Sequence, residues 1–173
     1  AGSGAQVLPK AFGIIRYADI LLMYVEALNN IQGSHTLTNA QEESETFYRN
    51  PNEIAKYFNM VRYRSGLPGL TPEELSNPET FQKVLERERM IEFFHEGRRY
   101  FDTRRWGIIE EEEAKPIMGM NTDLRTDNGY FNRVLGNHKN VRNRIFLPKM
   151  ILLPISRAEL KRVPNLDQNP FWD

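Results

Sequence analysis

Apolar residues recur at helical spacing through the first half of the chain, most densely between Ile14 and Asn30. Helical positions advance about 100° each. Ile14, Ala18, Leu21, Leu22, Val25 and Leu28 therefore mark one side of a helix, and Tyr17, Ile20, Tyr24, Ala27 and Ile31 mark another. Asp19, Glu26 and Asn30 leave a narrow polar strip. A helix apolar on two faces is one sandwiched between neighbours, as in a helical solenoid whose units bury their faces on one another. One face thus calls for a cover from another chain or from sequence beyond these residues, and Gly33 suits the helix stop.

Further along, three short signals predict helix starts. Asn50-Pro-Asn-Glu places an N-cap, a proline in the first helical position and a glutamate able to reach back. The helix it opens has Ile54, Tyr57, Phe58 and Val61 on its inner face and stops at Gly66 and Pro68. Thr71-Pro-Glu-Glu and Asn77-Pro-Glu-Thr repeat the device. The segment from Ser34 to Tyr48 is polar and without clear period, and reads as a variable loop.

The helix opened by Asn77 carries an unusual placement. Phe81, Val84, Leu85 and Ile91 fall within one arc, and Glu88 and Glu92 lie in the middle of it. A bare carboxylate is too costly to bury, so each needs a proton, a metal or a cation. Arginines follow at once: past a bend at Glu96-Gly97, a second short helix from Arg98 to Trp106 holds Arg98, Arg99, Arg104 and Arg105, ended by Gly107. The expectation is a structural charge network of Glu88, Glu92, Arg98, Asp102 and Arg105, with Asp102 four residues after Arg98 and three before Arg105, spacings that pair on a helix. Arg62 and Arg64, favourable at the C-terminal end of their helix dipole, are alternative partners for the glutamates. Arginines beside these carboxylates should lower their pKa values, which opposes a general acid. Both lie on one side of one helix, whereas glycosidase carboxylates flank the scissile bond.

Beyond this point order weakens. Glu110 to Glu113 reads as a solvated helical turn, Tyr130 to Leu135 and Arg144 to Phe146 as strand pieces, and Ser156-Arg-Ala-Glu as a capping box for a short helix to about Arg162. The tail from Pro164 holds Leu166, Phe171 and Trp172, which makes sense if its aromatics dock.

Composition narrows the chemistry. With 173 residues, 40 % hydrophobic, the chain suffices for one domain with a core. Lys plus Arg and Asp plus Glu each count 23, so no overall field attracts nucleic acid. Cysteine is absent, which excludes disulfides and thiolate chemistry. His35, His95 and His138 are too scattered for a zinc motif. Asn121 to Gly129 offers oxygen ligands but lacks calcium-loop spacing. There is no nucleophile elbow, phosphate loop or dinucleotide fingerprint, and no cofactor is expected. No apolar run approaches membrane-spanning length, and the opening AGSGAQVLPK carries no signal-peptide pattern. Among the aromatics that could grip a sugar face, Tyr130 and Phe131, beside Gly129, are the candidate ligand-binding pair, while Tyr100 and Trp106 are expected to pack short helices.

The run from Glu86 to Gly107, ERERMIEFFHEGRRYFDTRRWG, resembles the signature of the SusD/RagB family. RYADILLMYVEALN from Arg16, NMVRYRSGLPGL from Asn59 and LPISRAELKRVPNLDQNPFW from Leu153 agree with it in order, so the resemblance spans nearly the whole chain. Glu88 and Thr103 depart from the common form. The resemblance implies an all-α, tetratricopeptide-like helical assembly with a loop-rich C-terminal part. On that reading residues 1–173 are the C-terminal portion of the domain, with the N-terminal helical-repeat portion and lipobox outside this chain. It also implies a non-enzymatic, glycan-binding lipoprotein on the outer membrane's extracellular face in the Bacteroides group, delivering nutrient to a SusC-like TonB-dependent transporter in polysaccharide utilisation. The alternatives are a peptide-binding member, or a tetratricopeptide-like interaction scaffold with no glycan ligand.

Overall fold

In the computed structural model, which describes residues 14–121, 127–135 and 145–172, the cap-then-proline signals open their helices as read. Asn50 accepts from the backbone N–H groups of Asn52 and Glu53 and starts α2 (Pro51–Arg64). Thr71 and Glu74 close a reciprocal capping box on α3 (Pro72–Leu75). Asn77 caps α4 (Pro78–Glu92) through the Thr80 N–H. Ahead of them α1 runs Tyr17–Asn30. It ends at extended Ile31, and Gly33, with φ +74, comes later, at the entry to the next element.

These helices form the first of two compact units, divided between Glu96 and Gly97. Its core joins Leu21, Leu22, Val25 and Leu28 of α1, Ile54, Phe58 and Val61 of α2, and Phe81 and Leu85 of α4. Phe58 and Phe81 meet edge to face at 5.5 Å. The end of α1 lies by the starts of α2 and α4: Asn29 accepts from Arg49, which just precedes α2, and donates to the Pro78 carbonyl. Both later helices therefore run antiparallel to α1.

Three expectations change in this unit. Ser34 to Tyr48 is a β-hairpin, β1 (Ser34–Thr38) against antiparallel β2 (Ser44–Tyr48), instead of a loop. Hydroxyls pair across it, Thr36 with Thr46 at 2.9 Å and Thr38 with Ser44 at 2.8 Å, and Asn39 Oδ1 accepts the Gln41 and Glu43 N–H groups at the turn. Both strands are exposed throughout, so the apolar alternation that betrays a half-buried strand is missing. Ile91, expected inside, is 56 % exposed, because the buried arc of α4 is centred on Phe81, Leu85, Glu88 and Arg89. The polar strip of α1 is not its outer edge either: Asp19 and Glu26 are buried.

The second unit is helical with a short hairpin. It comprises α5 (Arg98–Arg105), α6 (Ile109–Ala114), β3 (Met118–Met120), α7 (Asp127–Tyr130), β4 (Arg133–Leu135), a 3-10 turn at Pro148–Ile151 and α8 (Arg157–Arg162). β3 and β4 pair antiparallel. Gly97 and Gly107, both left-handed, bracket α5. The glutamates Glu110 to Glu113 lie on α6, and Ser156 caps α8 through the Glu159 N–H. Of the expected strand pieces, only Arg133 to Leu135 is a strand; Tyr130 closes α7, Ile145 and Phe146 are irregular, and Arg144 lies outside the described residues. The tail docks through Trp172, whose indole N–H donates to the carbonyls of Lys149 and Leu152. Phe171 stays exposed. The fold is thus all-α, with its loop-rich part C-terminal.

Candidate functional site

Glu92 stands at the last turn of α4, facing the start of α1 and the end of α2, and two arginines converge on it. Arg16 reaches its carboxylate through Nη1 and its backbone carbonyl through Nη2. Arg64 adds Nη2 at 2.7 and 2.8 Å to the two oxygens. The Nε of Arg16 is shared by both oxygens of Glu96 at 3.0 Å, and its guanidinium lies 4.8 Å from the Phe93 ring centroid. Glu96 first, then Glu92, hold the Arg16 pKa above its ordinary value against the opposing effect of burial. A guanidinium offers a rigid planar set of donors, which is why one side chain serves three acceptors.

One turn back, Glu88 is buried and meets Arg62 Nε at 3.6 Å, and Glu74 lies 3.9 Å from Nη1 of the same guanidinium. Burial pushes the Glu88 carboxyl up, and Arg62 only partly offsets it. The expected lowering is corrected here: desolvation outweighs a single cation beyond hydrogen-bond distance. A third pair, missed in the sequence, links Asp19 of α1 to Arg89 of α4 at 3.3 Å, both buried. Its signal in the sequence is an aspartate inside the apolar pattern of α1, which reads there as part of a narrow polar strip.

Of the expected network, Glu88 and Glu92 therefore lie with Arg62, Arg64 and Arg16 in the first unit, while Arg98, Asp102 and Arg105 share α5 in the second. There Asp102 is buried and accepts from Arg105 Nε at 2.9 Å. Thr103 bonds back to the Arg99 carbonyl at 3.0 Å. Arg104 lies over the Tyr100 ring at 3.5 Å and donates to the Met150 and Ile151 carbonyls; Arg105 lies over Trp106 at 4.5 Å.

Tyr130 and Phe131 stand edge to face at 5.3 Å, 39 % and 67 % exposed. Two open aromatic faces at that angle are able to stack on one sugar ring and wall a second. The Asn121 to Gly129 segment preceding them lies largely outside the described residues. In the first unit, a cleft of about 350 Å³ is floored by Leu21 and Val61, flanked by Tyr17 and Met60 and closed by Arg16 and Arg64. A larger one, about 490 Å³, lies against Arg62, Glu88, Arg87 and Ile91. Both fall in the size range of small-molecule sites, yet the guanidiniums of Arg16 and Arg64 are already engaged by Glu92. Among the described residues no helix is long and apolar enough to cross a membrane.

A family model described as the SusD family matches residues 2–172. Among solved structures, the chain is similar to the selenomethionine form of BT4246, at 25 % identity and a TM-score of 0.66, over 91 % of this chain and 24 % of that one. It is also similar to a SusD-like protein from Bacteroides fragilis, at 27 % identity and TM-score 0.62, over 92 % and 25 % respectively. A SusD superfamily protein from Bacteroides vulgatus follows, at 28 % identity and TM-score 0.55, over 92 % and 27 %. The chain thus spans about a quarter of the length of these solved relatives. No curated protein matches.

Proposed function

The chain belongs to the SusD family, and from that membership we propose that it is part of a nutrient-capture protein at the bacterial cell surface. It binds an oligosaccharide and hands it to a SusC-like TonB-dependent transporter, with the full-length protein lipid-anchored on the extracellular face of the outer membrane and no bond made or broken. The observation that carries this reading is the continuity of the family match over residues 2–172. Charge chemistry in the first unit supports a binding role: Glu92 is held by Arg16 and Arg64, which tie the start of α1 and the end of α2 to α4, as a scaffold is fixed. Tyr130 and Phe131 are the proposed sugar contacts, since both rings are exposed and stand edge to face at 5.3 Å.

Titration calorimetry of the full-length protein against a panel of glycans tests the proposal, with chromatography of each mixture for products. Saturable binding without product supports it, and Phe131→Ala should weaken that binding at least tenfold. Turnover of any glycan overturns the binding-only reading, and silence across the panel shifts the ligand to a peptide or leaves a protein-interaction scaffold.

A further inference from the structure

The cleft of about 490 Å³ against α4 differs from its neighbour in the state of its cations. Arg62 reaches it from the last turn of α2, its guanidinium 5.9 Å from the Phe58 ring centroid, with Glu88 3.6 Å from Nε and Glu74 3.9 Å from Nη1. Those distances orient the group without bonding it. Among the described residues the Arg62 side chain has no hydrogen-bond acceptor, and its Nε is buried without one. Lys83 and Arg87, one turn apart on α4, line the same cleft; both are exposed, and among the described residues neither makes a hydrogen bond or an ion pair. Like charges at that spacing repel, so nothing internal accounts for the pair.

The unused groups set the sign of a ligand. Three cations face two carboxylates, and one of those, Glu74, already accepts the Thr71 N–H at 2.8 Å. A molecule completing this cleft must therefore bring oxygen acceptors and negative charge. Leu67, Val84 and Ile91 supply an aliphatic wall for its body. The rim is built in advance: the Leu67 N–H donates to the Arg62 carbonyl at 3.0 Å, and the Leu70 N–H to Asn59 Oδ1 at 2.8 Å.

We propose that this cleft binds the oxyanion of an acidic saccharide, a uronate carboxylate or a sulfate ester, with Arg62, Lys83 and Arg87 as donors and the sugar ring against the aliphatic wall. The proposal rests on the oligosaccharide reading above and narrows it to charged glycans, recognised here separately from Tyr130 and Phe131. A guanidinium presents paired donors to an oxyanion, and the ammonium of Lys83 adds a mobile point charge.

Titration calorimetry of the full-length protein tests this with uronate and sulfated oligosaccharides, their methyl-esterified and desulfated counterparts, and triglutamate. An acidic sugar should bind about tenfold or more tightly than its neutral counterpart, and the preference should shrink as salt is raised. Lys83→Gln with Arg87→Gln should abolish the preference without lowering the melting midpoint, since two exposed, unpaired like charges hold no element in place. Equal binding of acidic and neutral sugars would overturn this proposal and leave glycan capture standing, whereas no binding of either kind would remove both. A preference that survives the double substitution, or binding of triglutamate in place of the sugars, would also overturn it.

Discussion

Arg16 spans two levels of Glu92 at once, one guanidinium nitrogen on the carboxylate and a second on the backbone carbonyl of the same residue. The contact fixes the start of α1 against the end of α4, and the third nitrogen on Glu96 fixes the bend that follows. Arg16→Ala should therefore lower the unfolding free energy by about 2–3 kcal/mol, the range for a charge-assisted hydrogen-bond set that stays partly wet. Arg16→Lys should recover little, because an ammonium is a point donor and cannot face three acceptors in one plane. Urea denaturation of the three proteins checks this, and full rescue by lysine would show that charge alone suffices.

Asp19 and Arg89 behave differently because both are buried. Asp19→Ala takes away the carboxylate that faces the buried Arg89 guanidinium at 3.3 Å, and should cost about 3–5 kcal/mol. Replacing both, Asp19→Leu with Arg89→Met, removes two desolvation penalties together and should cost less than the single change. A double variant as unstable as the sum of the singles would count against the pair as a coupled unit.

Tyr24 gives a signal at high pH. Its hydroxyl donates to Glu53, and with partial burial and the carboxylate's charge this pushes its pKa up to about 12. A folded pKa above the unfolded value contributes stability fully present below the unfolded pKa, about 10, and lost as pH rises through the folded one. Tyr24→Phe should accordingly lower stability by roughly 0.5 kcal/mol at neutral pH, small because the site is wet, with the difference vanishing towards pH 12. Ultraviolet titration of wild type and variant would show it, as the loss of one late-ionising phenol.

What the sequence made legible follows from where the forces are local. The caps at Asn50, Thr71, Asn77 and Ser156 act within a turn, and each helix starts where its cap stands. The inner face of α2 was legible for the same reason, through periodicity. The hairpin at Ser34–Tyr48 was not, because hydroxyl pairs between exposed strands leave no apolar alternation to read. Glu88 and Glu92 read as buried carboxylates with two possible sets of cations; the structure takes the alternative, Arg62 and Arg64 at the end of α2, and adds Arg16 from 76 residues away, which no local signal indicates. Nearness in sequence pointed to Arg98 through Arg105; only tertiary packing decides which cation arrives. The same holds for Asp19, whose place beside Arg89 depends on how α4 lies on α1.

The tail should act as one latch on the loop before α8. Gln168 matches Ile155 as a strand would, accepting its N–H at 2.8 Å and donating to its carbonyl at 3.0 Å, and Trp172 holds the carbonyls of Lys149 and Leu152 while Lys149 lies over its ring at 4.6 Å. All these partners sit within residues 149–155, so losing either anchor frees the segment that carries the other. Gln168→Ala and Trp172→Ala should each cost about 1–2 kcal/mol, since partly exposed backbone groups regain water. The double variant should cost little more than the larger single change, because contacts made as a unit are not additive. Hydrogen exchange at the Ile155 amide should rise about tenfold or more in all three variants, a factor worth about 1.4 kcal/mol of local opening. Additive losses, or an Ile155 amide unaffected by Trp172→Ala, would mean two independent contacts and no latch.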